Sequence, residues 1–307
     1  MLRLVILCLT LFILNLMFGS TSLSVNELIQ SPVLWQLRLP TALVCFLSGA
    51  VLAQSGFVTQ SLFKNSLATP YTLGIASFAS LGTIIGMTLG LEWGAVSLLS
   101  LVFSLGSVFV LLLAFRIFRY DSLRLLLLGV ALSLFSSSLI SILQVTTSKM
   151  DLALFLTWVM GSVSTVGYDS VFVLLISFIF LMFVSFYYIR PLLLLTVEGD
   201  DSYTRGFDPV RVRAIFLFVV SICVGLLVSK LGPIGFVGLI IPHMTMRLVP
   251  FRGFSIIMGN LLLGGSFILL ADLLNRSFLS EFGLPVGVLI TVLGAPTFAV
   301  LLWKKSI

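Results

Sequence analysis

Residues Glu198–Arg213 read EGDDSYTRGFDPVRVR and hold seven of the chain's charged residues: Glu198, Asp200, Asp201, Arg205, Asp208, Arg211 and Arg213. The whole chain has only 17 basic and 11 acidic side chains. On both sides of the stretch lie apolar runs long enough to cross a bilayer as helix, for which about 20 residues suffice. This is therefore the largest segment that must sit in water. A membrane protein with one concentrated, mixed-charge loop presents that loop to a soluble partner.

Composition points the same way. The 307 residues are 59% hydrophobic and 9% charged, with a mean hydropathy of +1.23. Soluble domains carry about 25% charged residues, so this is an all-α polytopic membrane protein forming one domain over residues 1–307. No soluble domain fits, because no polar run exceeds about twenty residues, less than a domain's minimum. The basic balance does not indicate nucleic acid, since every basic cluster is flanked by membrane-length apolar sequence. Cys8, Cys45 and Cys223 each lie within an apolar run without metal-ligand spacing, and read as small packing residues. Met1–Phe18 could pass for a signal peptide. We read it as a retained first helix.

Ten spans are expected: Leu2–Phe18, Thr41–Phe63, Tyr71–Leu89, Trp93–Phe118, Leu123–Val145, Val171–Ile189, Val212–Ser229, Ile234–Leu248, Phe254–Leu274 and Leu284–Trp303. The runs are continuous rather than alternating, which favours helices over barrel strands. With both termini cytoplasmic, thirteen Lys and Arg fall inside and four outside: Arg38, Lys149, Lys230 and Arg276. That asymmetry sets the orientation and puts Glu198–Arg213 in the cytoplasm. Asp151–Asp169 is too polar to span and reads as a short helix at the outer surface, with a re-entrant loop as the alternative. Glycines in spans two, three, nine and ten suit close helix packing or a face lining a pathway. Pro70–Gly74 and Leu284–Gly287 both open a span with proline and glycine, too thin a match for a repeat.

Enzyme signatures are missing. There is no Gly-Lys pair and hence no P-loop, one histidine (His243) and no H-E-x-x-H, and no G-x-S-x-G. Asp272 lacks a second membrane-depth carboxylate for an aspartyl mechanism. Ion-coupled transport leaves ionisable residues within spans, whereas the charges here fall at or near predicted span ends. The reading is a passive-walled pathway driven by a separate motor; the alternative is an ion-coupled secondary transporter of a lipophilic metabolite. Lys230–Arg247 (KLGPIGFVGLIIPHMTMR) spans 17 steps, about 25 Å as helix. Gly235, Gly238 and Pro242 mark it as a kinked, pathway-lining helix, with His243 as a packing residue or a gate.

Several blocks carry a family resemblance. They are Arg38-Leu39-Pro40, Gly49-Ala50 to Gly56, Gln60 through Asn65, Leu67-Ala68, Pro70 and Leu73-Gly74, then Leu127–Leu132 and Trp158-x-Met160-Gly161. Gly232–His243, Leu270-Ala271-Asp272, Leu284-Pro285-x-Gly287 and Leu293-Gly294-Ala295-Pro296 complete the set. In this order they resemble the bacterial ABC importer permeases for iron chelates, haem and vitamin B12 (FecCD-like), from about Arg38 to Trp303.

The resemblance implies a type II importer permease of about ten helices, homodimeric around a central pathway in the bacterial inner membrane. Two cytoplasmic ABC ATPase subunits would drive it, carrying the ATP and Mg, with no cofactor on this chain. A periplasmic or lipoprotein substrate-binding protein would deliver cargo. Lipid is the remaining partner. The resemblance assigns ATPase coupling to a loop at about residues 196–213, through Asp200, Asp201, Tyr203, Arg205, Gly206 and Phe207, with Gly206 at a turn. It assigns binding-protein docking to Arg38 and Arg276, weakened because Thr41 stands where the family commonly has a second arginine. It assigns a cytoplasmic gate to Ser122 and Leu123, with Leu123 making a drier constriction than the family's hydroxyl residues.

Overall fold

The computed structural model describes residues 1–18, 29–117, 121–146, 155–197, 206–250, 252–279 and 284–303, and among these there is no strand. The helices are α1 (Leu2–Met17), α2 (Leu39–Phe63), α3 (Ile75–Thr88), α4 (Trp93–Ile117), α5 (Ser122–Thr146), α6 (Asp169–Tyr187), α7 (Ile189–Val197), α8 (Pro209–Leu231), α9 (Val237–Leu248), α10 (Gly253–Phe278) and α11 (Val286–Trp303). A five-residue π-helical turn, Leu34–Arg38, runs directly into α2. Among the described residues, six helices are long and apolar enough to cross a membrane: α2 with its π turn, α4, α5, α6, α8 and α10.

The described exposed cations Arg3, Lys64, Arg124, Arg190, Arg211, Arg247 and Arg252 stand at one end of the bundle, the basic end. Arg38, Glu92, Asp169, Lys230, Asp272 and Arg276 stand toward the other.

Two predicted spans come out shorter than the sequence suggests. The third begins at Ile75 rather than Tyr71, because Pro70–Gly74 forms hydrogen-bonded turns and Gly74 adopts φ +80° as the helix cap. The eighth is not a 25 Å helix. α8 continues to Leu231, Gly232–Phe236 leaves helical geometry, and α9 has twelve residues, about 18 Å long. Both short helices thus begin inside the bundle, each after a non-helical segment. The Asp151–Asp169 expectation also changes. Residues 155–159 form one helical turn and the chain then runs extended. The Ser162 amide donates to Leu231 O (2.8 Å), the Gly287 amide to Gly161 O (3.0 Å) and the Gly167 amide to Gln36 O (2.9 Å). The segment is stitched into the ends of α8 and α11 and into the π turn.

An internal repeat, too faint to claim from sequence, is visible in the packing. α2 packs on α9 and α10, while α8 packs on α3 and α4; α3 pairs with α4 and α5 as α9 pairs with α10 and α11. Since α2 runs toward the basic end and α8 away from it, the units α2–α5 and α8–α11 are inverted with respect to each other. One trace survives in sequence. Leu128-Gly129-Val130 on α5 and Leu293-Gly294-Ala295 on α11 each place their glycine against the start of a broken helix, Gly129 against Leu73 and Gly294 against Phe236.

Lipid is as apolar as leucine, so helices in a bilayer associate through close packing and hydrogen bonds. α2 does both. A β-carbon at Gly49 would fall within the Gly264 carbonyl of α10, and one at Gly56 within the Gly238 carbonyl of α9. Between them Asn260 Nδ2 donates to Gln54 Oε1 (3.1 Å) and Gln54 Nε2 to Ser185 Oγ (3.1 Å), tying α10, α2 and α6. The facing α8–α4 seam uses serine: Ser100 Oγ donates to Gly225 O (3.0 Å) and Ser104 Oγ to Ser221 O (3.2 Å). α1 joins through Asn15, whose Nδ2 donates to Leu269 O (2.8 Å).

Gly56→Ala forces α2 and α9 apart and is expected to destabilise the protein by about 3 kcal/mol, at the upper end for overpacking. Gly106→Ala on α4, where a β-carbon meets nothing within 4 Å, leaves stability unchanged or raises it by up to about 1 kcal/mol through helix propensity. Thermal unfolding of the two variants in detergent checks the contrast.

Candidate functional site

At the basic end, Asp208-Pro209 starts α8. Asp208 Oδ1 accepts from the Val210 amide (2.9 Å) and more weakly from the Arg211 amide (3.4 Å), with proline at the first helical position, where its missing donor costs nothing. Gly206 is exposed at φ +86°, a left-handed conformation that glycine adopts without steric cost. Phe207, half-buried, anchors the turn against the apolar core.

The expected loop of about residues 196–213 is shorter than that. Thr196 and Val197 close α7, and Arg211 and Arg213 lie in the first turns of α8. Arg213 is buried, its guanidinium 5.7 Å from the Phe115 ring centroid in a cation–π contact. Asp200, Asp201, Tyr203 and Arg205 lie outside the described residues.

Ser122 opens α5 at the same end, half-buried, and Leu123 is 61% exposed. What fixes them is Asp121, which sequence reasoning passed over. Its Oδ1 accepts from the amides of Leu123 (3.0 Å) and Arg124 (3.2 Å), and its carboxylate pairs with Arg124 (3.1 Å). The signal was legible as an N-cap residue directly before an apolar run.

The broken helix α9 is organised by a group that sequence reasoning placed only as a motif member. Pro242 has no N–H, so the Gly238 carbonyl one turn earlier loses its helical partner. Gln60 of α2 replaces it: Nε2 donates to Gly238 O (3.1 Å) and to Leu239 O (3.3 Å). His243 Nδ1 lies 2.8 Å from Leu239 O, and because a carbonyl only accepts, that nitrogen carries a proton. The ring meets Phe298 of α11 edge-on at 6.0 Å.

Before α9, Phe236 stands at φ +64°, ψ −32°, with the Val237 amide donating to Gly235 O (2.8 Å). That is a γ-turn, a strained conformation for a bulky residue. Nearby, Tyr71 Oη accepts from the Ile234 amide (2.5 Å), joining the two non-helical segments. Gly235, Gly238, Pro242 and His243 therefore form one unit with Gln60, and Gly235 is the member with open space at its α-carbon.

At the far end, Arg38 and Arg276 do not project outward together. Arg38 is 3% exposed and donates from Nη1 to the carbonyls of Leu16 (3.1 Å) and Met17 (2.7 Å), capping the C-terminus of α1. Arg276 pairs with Asp272 one turn back and donates to Asn15 Oδ1 (3.0 Å), with 22% of its side chain exposed. Asp272 thus has a cationic partner rather than a second carboxylate. Among the described residues no group of His, Cys, Asp or Glu could hold a metal ion. The site can hold helix ends, bend and present surfaces; it assembles no nucleophile with its base.

Gln60→Ala, which orphans the Gly238 carbonyl, is expected to cost about 1–3 kcal/mol of stability. The cost should shrink by about 1 kcal/mol in a Pro242→Ala background, where residue 242 regains its donor. Melting temperatures of the four members of this double-mutant cycle in detergent check the coupling.

Comparison with known proteins places the chain. Its sequence matches the FecCD transport family over residues 6–304. It is 30% identical over 316 residues to a Helicobacter pylori protein named "Probable iron chelatin transport system permease protein", covering 97% of this chain and 96% of that one. It is 34% identical over 282 residues to the vitamin B12 import system permease BtuC of Pectobacterium atrosepticum (91% and 84% covered). It is 30% identical over 287 residues to the molybdate import system permease MolB of Haemophilus influenzae (93% and 85%). The fold superposes, with a TM-score of 0.86 at 30% identity, on a structure titled "An inward-facing conformation of a putative metal-chelate type ABC transporter", covering 99% of this chain and 98% of that one. These relatives are transport subunits, not enzymes. An all-α bundle with two helices broken in mid-course and a capped entry to α8 at its basic end is thus an ABC importer permease, and the chain belongs to the FecCD transport family.

Proposed function

We propose that this chain is the membrane subunit of an ATP-driven importer of an iron chelate, haem or a cobalamin, working as a homodimer with two ABC ATPases and an external binding protein. The observation that carries the reading is the correspondence of the whole chain, at TM-score 0.86, to the metal-chelate type ABC transporter. The basic end faces the cytoplasm of a bacterial inner membrane, in line with the positive-inside rule. The ATPase then meets the segment between α7 and α8. Asp208 and Pro209 supply the rigidity a lever needs, and Gly206 the sharp turn before it. Phe207 seats the lever on the bundle, so a push at the surface displaces α8 rather than bending a loop.

Dimerisation has a candidate surface. α5 leaves Leu127, Leu134, Phe135 and Ile142 exposed, and α11 leaves Val292 exposed. A second copy meeting α5 encloses a pathway between the two subunits, with Ser122 and Leu123 at its cytoplasmic mouth. Gln60, Pro242 and His243 hold the adjoining α9. On the outer face docking passes to Arg276, since Arg38 is occupied by the end of α1. Lipid covers the remaining apolar surface. Energy enters from the ATPase; uptake by the reconstituted complex driven by an ion gradient without ATP is the result that would favour secondary transport instead.

Gly206→Val is expected to lower ATP-coupled uptake in proteoliposomes by roughly tenfold, with hydrolysis and subunit assembly retained, because a β-branched residue resists φ > 0. Unchanged coupled uptake contradicts the lever. Arg276→Gln should weaken capture of the binding protein at low salt and lose that difference at high salt, while Arg276→Lys retains capture. Pull-down across a salt series reads it.

A further inference from the structure

Where α3, α5 and the Gly232–Phe236 segment meet, the bundle leaves a recess of about 290 Å³. Five hydroxyl side chains line it, Tyr71, Ser77, Ser80, Ser137 and Ser141, and among the described residues no charged group does. A helical serine in a bilayer ordinarily spends its proton on a carbonyl one turn back. Ser80 does so onto Ala76 O (3.0 Å) and Ser141 onto Ser137 O (3.0 Å).

The others do not. The hydroxyls of Ser77 and Ser137 make no hydrogen bond to a described residue, and Tyr71 Oη accepts from Ile234, which leaves its own proton unspent. Three donors without an acceptor among the described residues therefore line one uncharged recess, which opens on the exposed face of α5 where Ser137 and Ser141 lie. Ser77 is the third residue of α3, so the positive end of that helix dipole faces the same space.

The recess lies deep. Ser80 and Ser77 stand eight and eleven residues from the end of α3, about 12 and 16 Å along its axis. That is near the middle of a hydrocarbon layer about 30 Å thick.

We infer that this recess is a transit site for cargo bearing clustered anionic oxygens, either a compact oxyanion or the oxygen edge of a metal chelate; the inference rests on the permease reading above. Donors without charge suit the task. A buried arginine would bind anionic oxygen strongly and release it slowly, whereas conduction requires sites that bind and let go. The volume sits at the lower edge of the roughly 300–1,000 Å³ of drug-sized pockets. One recess therefore encloses a compact anion whole, or only the edge of a larger chelate.

The test uses the full complex with its ATPase and binding protein in proteoliposomes, with three probes: molybdate, a ferric trihydroxamate, and cyanocobalamin, whose periphery is amide rather than anionic oxygen. The double variant Ser77→Ala/Ser137→Ala is expected to lose at least roughly tenfold in uptake of the oxyanion or the hydroxamate, as two hydrogen bonds to anionic oxygen are removed. ATP hydrolysis should stay near wild type, and Ser137→Thr should retain uptake. A preference for molybdate over the hydroxamate identifies the whole-anion mode, and the reverse the chelate-edge mode. In Ser137→Cys, labelling by a water-soluble maleimide should slow when the transported probe is present.

Wild-type uptake by the double alanine variant overturns the recess and leaves the permease reading standing. So does transport confined to cyanocobalamin, or labelling indifferent to every probe. A wild-type complex that hydrolyses ATP and accumulates none of the three, nor haem, overturns both.

Discussion

A β-carbon at Gly56 would collide with the backbone of Gly238, and one at Gly49 with the backbone of Gly264. These two contacts let α2 lie against α9 and α10 at backbone distance, buried almost throughout. In a bilayer no hydrophobic force draws helices together, so area alone does not specify a partner. Close approach does, because only matched small residues permit it, and the amide chain Ser185–Gln54–Asn260 adds direction. With α2 fixed between α9 and α10, its inverted counterpart α8 takes the corresponding place between α3 and α4.

Breaking two helices inside the membrane exposes backbone groups that lipid cannot satisfy, and each such group costs several kcal/mol if left alone. The protein answers locally. Gln60 takes the carbonyl that Pro242 abandons, and Tyr71 takes the Ile234 amide. Phe236 keeps a γ-turn that glycine would adopt more readily, its ring packed on Gly294 where no side chain intervenes. Irregular backbone at this depth is tolerated where it is buried in protein or lines a cavity. Here it does both, since Tyr71 and Pro233 also wall the recess beside α5.

Much of the architecture could be read from residue order. Continuous apolar runs located the helices and the distribution of Lys and Arg marked one end; α8 starts at Pro209 rather than the expected Val212, a cap signal present in Asp208-Pro209 but passed over. The site was legible in part. Gly206 was identified as a turn residue, and Gly238, Pro242 and His243 as members of a bent helix. Gln60 was not singled out, because its role exists only where α2 meets α9, and those helices are some 180 residues apart. Arg38 misled for the same reason. A span-end arginine looks exposed in sequence, but Arg38 folds back onto the carbonyls that end α1, whereas Arg276 pairs with Asp272 and keeps part of its side chain at the surface.

The sequence by itself determined that this is a helical membrane protein with a basic end, with proline and glycine concentrated where helices stop, and with its family membership written in ordered motifs. Those features depend on composition and short-range geometry, which act within a few residues. Only the tertiary structure decided that α9 is half a span, that residues 155–167 are stitched between helix ends, and that two units repeat in inverted order. Each of these rests on which backbones approach within contact. Hydropathy cannot express that, because in lipid every apolar face is equally at home until a glycine meets a glycine.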